Sequence, residues 1–364
     1  MSNDSHLDGH SGESPFSINH SQFIRRCLEL ARIPGAAVEP NPRVGAVVVH
    51  QGRIIGEGCH ERYGGPHAEV NAVRSVANKE LLRDCTLYVS LEPCNHHGKT
   101  PPCTDLILEH GIPRVFVCSL DPNPQMRGKS VAMLHRRGVA VTLLDDYEDF
   151  IELNKHFWVN QQLHRPYILL KWAESADGFI AGLNAEGRPE PRAISGMETN
   201  RYFHSLRHEL QGILIGRETA LVDNPSLTTR HFPGRNPLRL VLDESGDLPP
   251  TLKVFEGEGA MVIRRGESGQ EGNIRYFGVP DPFDLPDLLR RLYAEARIGS
   301  ILVEGGANVL QQFIDAGEWD EIIRCVAPLR LGAGVAAPML LEGMEAAQVI
   351  ASGEDRLEVF RKPT

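Results

Sequence analysis

Short β-branched runs alternate with helical segments through the first half of this chain, and that alternation restricts the fold more than any other feature. Val44 to Val49 reads as a strand, Gln51-Gly52 as a turn, and Arg53 to Gly58 as the returning strand of a hairpin. His67 to Ala77 reads as a helix, with Val70, Val73, Val76 and Ala77 at helical spacing. Leu87 to Leu91, Val115 to Leu120 and Val139 to Leu144 read as strands. Thr104 to Glu109 and Gly128 to Arg137 read as helices. The order β-β-α-β-α-β-α-β predicts a mostly parallel sheet with helices on both faces.

A charged and then helical stretch, Asp145 to Arg165, ends at Arg165-Pro166, where a domain boundary is expected. A second α/β pattern follows. Tyr167 to Ala173, Gly212 to Gly216, Leu238 to Asp243, Ser300 to Glu304 and Glu321 to Ala327 read as strands. Thr199 to Glu209 and Asp284 to Ala296 read as helices, and a further helix follows Gly305-Gly306. The Gly-rich segment Glu256 to Gly272 reads as an exposed loop. A length of 364 residues fits two domains at roughly 150 residues each. The expected division is a tail over 1–17, a first domain over 18–150, a linker over 151–165 and a second domain over 166–364. There is no internal repeat.

Composition narrows the partners. Lys and Arg total 38 against 48 Asp and Glu, a net charge of -10, so nothing forces the basic face of a nucleic-acid binder. Arg25-Arg26 and Arg290-Arg291 read as solvated helix faces. No apolar run approaches the roughly 18 residues of a membrane span. The polar opening residues, Met1 to Ser17, lack the apolar core of a secretory signal, so the cytoplasm is the expected compartment. Seven Cys, an odd number, argue against a disulfide framework. Cys27, Cys59, Cys85, Cys118 and Cys325 sit singly in apolar settings and read as core fillers.

Cys94 and Cys103 differ, because each follows a Pro and they lie downstream of His67-Ala68-Glu69. One His and two Cys suit tetrahedral zinc and leave a position open for water. A structural site would be closed by a fourth protein ligand. Glu69 is not needed to bind metal, but a carboxylate beside activated water can take its proton and deliver it to a substrate ring and leaving ammonia. His-x-Glu with a later Pro-Cys and second Cys is the zinc deaminase signature. Here eight residues separate the two Cys, more than in the short form. His67 and Cys103 fall near predicted helix starts, whose positive potential suits thiolates. A structural zinc knuckle is the alternative, and Glu69 has no work in one.

His67-Ala68-Glu69-Val70, the run Leu91-Glu92-Pro93-Cys94-Asn95-His96-His97-Gly98-Lys99-Thr100-Pro101-Pro102-Cys103, Asp121-Pro122-Asn123-Pro124 and Pro40-Asn41-Pro42-Arg43-Val44-Gly45 resemble the deaminase half of the bifunctional riboflavin-biosynthesis deaminase/reductase family. The resemblance covers about residues 18 to 150. It implies a cytidine-deaminase-like three-layer domain, with zinc on His67, Cys94 and Cys103 and Glu69 as catalytic residue. The implied substrate is a diaminopyrimidinone bearing a ribosylamino 5-phosphate. Asn41, Asp121 and Asn123 offer directional groups for a pyrimidine edge, and His96 and Lys99 suit a phosphate. Turn chemistry is the alternative for the two Asn-Pro elements.

The second half, about residues 166 to 360, resembles the reductase half of the same family. That implies a dihydrofolate-reductase-like α/β domain using NADPH to turn a ribosyl into a ribityl chain, and a homodimer or higher homo-oligomer. By position, Thr219, Asp223, Gly305, Gly306 and Ala307 would lie at the cofactor, and Arg207, Leu227, Arg230 and Glu304 at the substrate. Two Arg converging on a sugar phosphate would use their bidentate fork. Asp223 and Glu304 are the candidates for proton handling. Three positions depart from the family pattern: Ala193 where a Trp is common, Asn224 where a second Asp is common, and Glu244 where Ser is common. Two competing functions are a deaminase of nucleic acid or free nucleoside with a binding domain attached, and a non-catalytic zinc protein. The acidic balance and the long insert count against the first, and Glu69 against the second.

Overall fold

A computed structural model describes residues 20–96, 101–144 and 148–362. The expected tail and Lys99 lie outside them. The first unit opens with helix α1 (His20–Arg32), then strands β1 (Gly45–His50) and β2 (Arg53–Cys59), helix α2 (Ala68–Ser75) and strand β3 (Thr86–Val89). Helix α3 (Cys103–Glu109), strand β4 (Arg114–Val117), helix α4 (Lys129–Arg136) and strand β5 (Ala140–Leu143) complete it. Helix α1 precedes the predicted order, and its Arg25 and Arg26 lie on the solvent side as expected.

The sheet order is β2-β1-β3-β4-β5. Pairings from β3 to β5 are parallel, whereas β1 runs antiparallel to both β2 and β3. The expectation of a mostly parallel sheet is therefore corrected: the tight hairpin at Gln51-Gly52 reverses one strand, and only the helix-linked strands run parallel. Alternation along β1 sends Val47 and Val49 to a core with Phe23, Ile24 and Cys27 of α1. Ala46 and Val48 point to the opposite core, with Ala72, Ile107 and Leu134 from α2, α3 and α4. Three layers result. Gly56 and Gly58 set the approach of α2, since a Cβ at Gly58 would lie 2.6 Å from Ala72 N.

Helices α5 (Glu148–Leu153) and α6 (Lys155–Leu163) connect to the second unit. That unit runs β6 (Tyr167–Glu174), β7 (Phe179–Leu183), β8 (Pro189–Glu190), α7 (Met197–Glu209), β9 (Gly212–Gly216), α8 (Arg217–Asp223) and β10 (Leu238–Leu242). It continues with β11 (Ala260–Arg265), β12 (Gly269–Glu271), β13 (Ile274–Val279), α9 (Leu285–Ala294), β14 (Ser300–Val303) and α10 (Ala307–Asp315). Strands β15 (Glu321–Val326), β16 (Val335–Ala336), β17 (Gln348–Ser352) and β18 (Asp355–Arg361) end it. Ten strands form one sheet in the order β12-β13-β11-β10-β9-β14-β6-β15-β18-β17, and β16-β7-β8 form a small second sheet. Ile168, Leu170 and Trp172 face α9 and α10, while Tyr167 and Leu169 face Phe203 of α7 and Ala220 of α8.

The Gly-rich segment Glu256 to Gly272 is not a loop. Met261, Val262 and Ile263 are buried in β11, paired with both β10 and β13. A strand covered on both faces reads as a short continuous apolar run, and flanking glycines disguise it as a turn.

Candidate active sites

In the first unit, close packing of α2 on β2 brings the helix start beside the amino end of β1 and the carboxyl end of β3. His67 is the N-cap of α2, with extended backbone and no side-chain cap. Cys103 opens α3. Cys94 lies on the segment after β3, tied down where Thr104 N–H donates to Cys94 O at 3.1 Å. His67 Nδ1 is 3.4 Å from Cys94 Sγ and 3.3 Å from Cys103 Sγ. The ligand atoms of all three lie within 4.8 Å of one another. A tetrahedral zinc with Zn–S near 2.3 Å and Zn–N near 2.0–2.1 Å puts N and S about 3.6 Å apart, so the donor set fits. Among the described residues no fourth His, Cys, Asp or Glu joins the group.

Glu69 follows one residue inside the helix and is 4% exposed. Burial, with the adjacent Cys94 thiolate, pushes its carboxyl up to about 7. Cys94 is drawn down to about 4 by its contacts with Cys103 and His67 against the cost of burial. A carboxyl that shuttles a proton needs this kind of dry, anionic setting.

A cavity of about 350 Å³ opens in front of this cluster, lined by Asn41, His60, His67, Glu69, Cys94, His96, Asp121 and Asn123 among others. His96 is exposed at its rim. Asn41 Nδ2 lies 3.1 Å from His60 Nε2, and His60 Nδ1 lies 2.9 Å from Pro66 O. Burial holds His60 below the ordinary imidazole range, so it is neutral, donating to Pro66 and accepting from Asn41. Asp121 Oδ1 accepts from Asn123 N–H at 2.8 Å, and Asn123 Oδ1 from Gln125 N–H at 2.9 Å. The turn chemistry expected of this element is therefore present, at the wall of the cavity. Buried Glu92 fixes that wall by accepting from Asp121 N–H at 3.2 Å and Gly128 N–H at 2.8 Å.

In the second unit the chain runs outward from β9 to β10, β11 and β13, then returns to insert β14 between β9 and β6. Such a switch point leaves a crevice beyond the carboxyl ends of parallel strands. A cavity of about 1010 Å³ occupies it, lined by Lys171, Thr219, Asp223, Arg230, Glu304, Gly305, Gly306 and Ala307 among others. The start of α10 at Gly306 has no side-chain cap. Gly306 N–H donates to Thr219 Oγ1 at 2.8 Å. An uncapped helix start at a large cavity suits the phosphates of a dinucleotide, so the residues fit a nicotinamide cofactor. Of the departures, Ala193 and Glu244 also line the cavity. Glu244 is paired outward with Arg265 at 2.6 Å. Asn224 accepts from Lys253 N–H at 2.8 Å, away from the crevice.

Three expectations change here. Arg207 does not converge with Arg230 on a shared anion. Its guanidinium forks onto Glu304, Nε to Oε1 at 3.0 Å and Nη2 to Oε2 at 2.8 Å, and Nη1 donates to Thr228 O at 2.9 Å. The Arg207 side chain is only 11% exposed, so the fork is shielded from solvent. Glu304 is held as a paired carboxylate: burial alone would raise its pKa, but Arg207 and Lys171, 3.3 Å away, hold it far below the carboxylate range. Leu227 is 3% exposed, with a left-handed φ of 53°, and its side chain joins the core. His60, Glu92 and Lys171 are additions to the sequence reading. Lys171 had a visible signal, a single cation inside the apolar strand Tyr167 to Ala173.

A His-Cys-Cys cluster with a buried carboxyl, joined to an α/β unit with a phosphate-ready crevice, defines a zinc-dependent deaminase fused to a nucleotide-dependent reductase. Residues 17–119 match the model of the cytidine and deoxycytidylate deaminase zinc-binding region, and residues 166–356 that of the RibD C-terminal domain. The chain belongs to the family of riboflavin biosynthesis protein RibD. It is 39% identical to the member from Aquifex aeolicus (strain VF5) over 86% of this chain and 88% of that one. It is 34% identical to the member from Escherichia coli (strain K12) over 89% and 91%. It is also similar to the solved diaminohydroxyphosphoribosylaminopyrimidine deaminase/5-amino-6-(5-phosphoribosylamino)uracil reductase from Thermotoga maritima. The identity is 36% and the TM-score 0.83, covering 94% of this chain and 99% of that one. The protein is thus a bifunctional enzyme of riboflavin biosynthesis, a deaminase and a reductase, with zinc and NADPH as cofactors. The cytidine-deaminase-like expectation holds for the first domain, and the second matches the RibD C-terminal domain.

Proposed function

We propose that the first domain, 18–150, removes the 2-amino group of 2,5-diamino-6-(5-phosphoribosylamino)pyrimidin-4(3H)-one, and that the second, 166–364, reduces the ribosyl of the product to ribityl. The observation that carries the reading is Glu69, buried beside His67, Cys94 and Cys103 at the floor of an open cavity. His67, Cys94 and Cys103 would hold zinc, which when bound supplies the Lewis acidity that makes water a nucleophile at neutral pH. Glu69 takes one proton from the attacking water and gives it to the ring nitrogen; it then takes the second from the new hydroxyl and gives it to the amine, so that the C=O bond forms as the C–N bond breaks and ammonia leaves. Asn41, oriented by neutral His60, and Asp121 and Asn123, held by Glu92, grip the pyrimidine edge. His96 stands at the rim, and Lys99 on the same insert is placed with it by sequence alone.

In the crevice, Gly305, Gly306 and Ala307 would receive the cofactor phosphates, with Thr219 and Asp223 beside them. NADPH supplies the hydride. Lys171, buried in the wall and pulled below the ordinary lysine range by desolvation, gives the proton that completes reduction. Glu304 stays ionised and accepts from ribose hydroxyls, while Arg207 holds Glu304 and the Thr228 segment in place. Arg230 meets the substrate phosphate. The partners are small molecules; we place the enzyme in the cytoplasm, as a homodimer. No helix among the described residues is long and apolar enough to cross a membrane. The edge strand β17 exposes Val349 at 59%, consistent with a second copy there.

Purified protein is incubated with the phosphoribosylamino diaminopyrimidinone and its products followed by mass. Without NADPH a gain of about one mass unit is expected, from amine replaced by oxygen. Adding NADPH brings a further gain of about two, from hydride plus proton. Unchanged mass in both arms, or full ammonia release by Glu69→Gln, overturns the reading.

A further inference from the structure

Two walls of the deaminase cavity are fastened to the reductase domain. Phe157 and Gln161, both on α6, line the cavity beside Asn41 and Glu69. The same helix is anchored on its other side: Asn160 Nδ2 donates to Gly299 O at 2.8 Å, and Lys155 Nζ meets Glu321 at 2.7 Å. The Asn41 turn is held at both ends. On one side, Glu39 is buried; its Oε1 lies 2.9 Å from His156 Nδ1 of α6, and its Oε2 accepts from Ser300 Oγ of β14 at 2.6 Å. On the other, Arg43 pairs with Glu209 at the end of α7 at 2.8 Å. Asn41 N–H closes this turn onto Val38 O at 2.9 Å.

Gly299 lies at the centre of these contacts. A Cβ there would sit 3.0 Å from Asn160 Oδ1 and 3.2 Å from Glu39 Oε2, so a methyl group would push both side chains from their places by a few tenths of an ångström. None of Glu39, Gly299 and Ser300 lines the deaminase cavity. Their effect on it runs through Asn41 and α6. A turn and a helix that bear on substrate, each pinned to another domain, take their positions from that domain.

We infer that the reductase domain sets substrate affinity at the deaminase site, with Glu39 as the positioning residue that holds the Asn41 turn and α6 against β14. This rests on the proposed deaminase reading. Glu39 touches no reacting atom, so its loss loosens the grip on substrate and leaves the zinc cluster and Glu69 as they are.

The test is steady-state ammonia release from the phosphoribosylamino diaminopyrimidinone, without NADPH, by wild type, Glu39→Gln and Gly299→Ala. Zinc content and thermal unfolding are measured on each. The expected result is a KM raised about tenfold in both variants, the scale of one unsatisfied polar contact, with kcat and zinc content unchanged. Gly299→Ala carries the test alone if Glu39→Gln does not fold. Unchanged KM in an active background overturns this inference and leaves the deaminase reading standing, as does a fall in kcat at constant KM. A wild type that releases no ammonia overturns both.

Discussion

Glu304 lies between two cations, and the balance among the three decides what each can do. A buried carboxylate with Arg207 on one side and Lys171 on the other is compensated; with Arg207 removed it keeps one cation, Lys171, but loses the two hydrogen bonds of the guanidinium fork. Arg207→Ala is expected to cost the reductase domain about 1.5–3 kcal/mol in urea denaturation. Replacing all three charges together, Lys171→Met and Arg207→Met with Glu304→Leu, restores much of that stability while abolishing reduction. A single variant as stable as wild type would refute the ion cluster. His204, at the cavity wall, gives a second prediction. Burial, then the charges of Arg207 and Arg230, lowers it from the ordinary 6.5 to about 4. Its folded value lies below its unfolded one, so the unfolded chain takes up the proton first. Stability is lost as pH falls from 6.5 toward 4, and His204→Asn should flatten that slope in a series of thermal melts. An equal slope in the variant would assign the acid sensitivity elsewhere.

At the scale of elements, legibility followed the physics that writes a pattern into sequence. The first-unit hairpin and its parallel strands were legible because turn residues and β-branched runs are local signals. His67, Glu69, Cys94 and Cys103 were legible because metal chemistry fixes residue types at recognisable spacing. His60, Glu92, Phe157 and Gln161 were not, because each is a single residue that meets its partners only after folding. Arg207 was misread for the same reason: a guanidinium serves an anion or a carboxylate equally well, and the fold chooses. Strand β11 was hidden by Gly259 and Gly266, and β13 by Gly278 near its end. Gly259 and Gly278 are packing features, a Cβ at Gly278 lying 2.2 Å from Gly266 O, whereas Gly266 serves a left-handed φ of 97°. Gly278→Ala is therefore expected to cost about 1–3 kcal/mol by overpacking at the β11–β13 edge. Chemical denaturation checks this, and a neutral result would mean that the edge yields more easily than its spacing implies.

Across the whole molecule, two catalytic cavities draw on different chemistry, so metal removal should separate them. Exhaustive chelation is expected to abolish ammonia release and lower the thermal midpoint of the first unit, since zinc binds only the folded cluster. NADPH-dependent reduction of already deaminated substrate should persist. Loss of both activities at equal chelator concentration would contradict that separation. Helix α6 gives the covalent joint a further meaning. Any fission of this gene, natural or designed, must decide which fragment inherits it. A cut before Lys155 strips Phe157 and Gln161 from the first product; a cut after Leu163 keeps them but bares the seat at Gly299 on the second. The junction is therefore shared masonry rather than a tether, and independent expression of either half would begin with a breach in one wall.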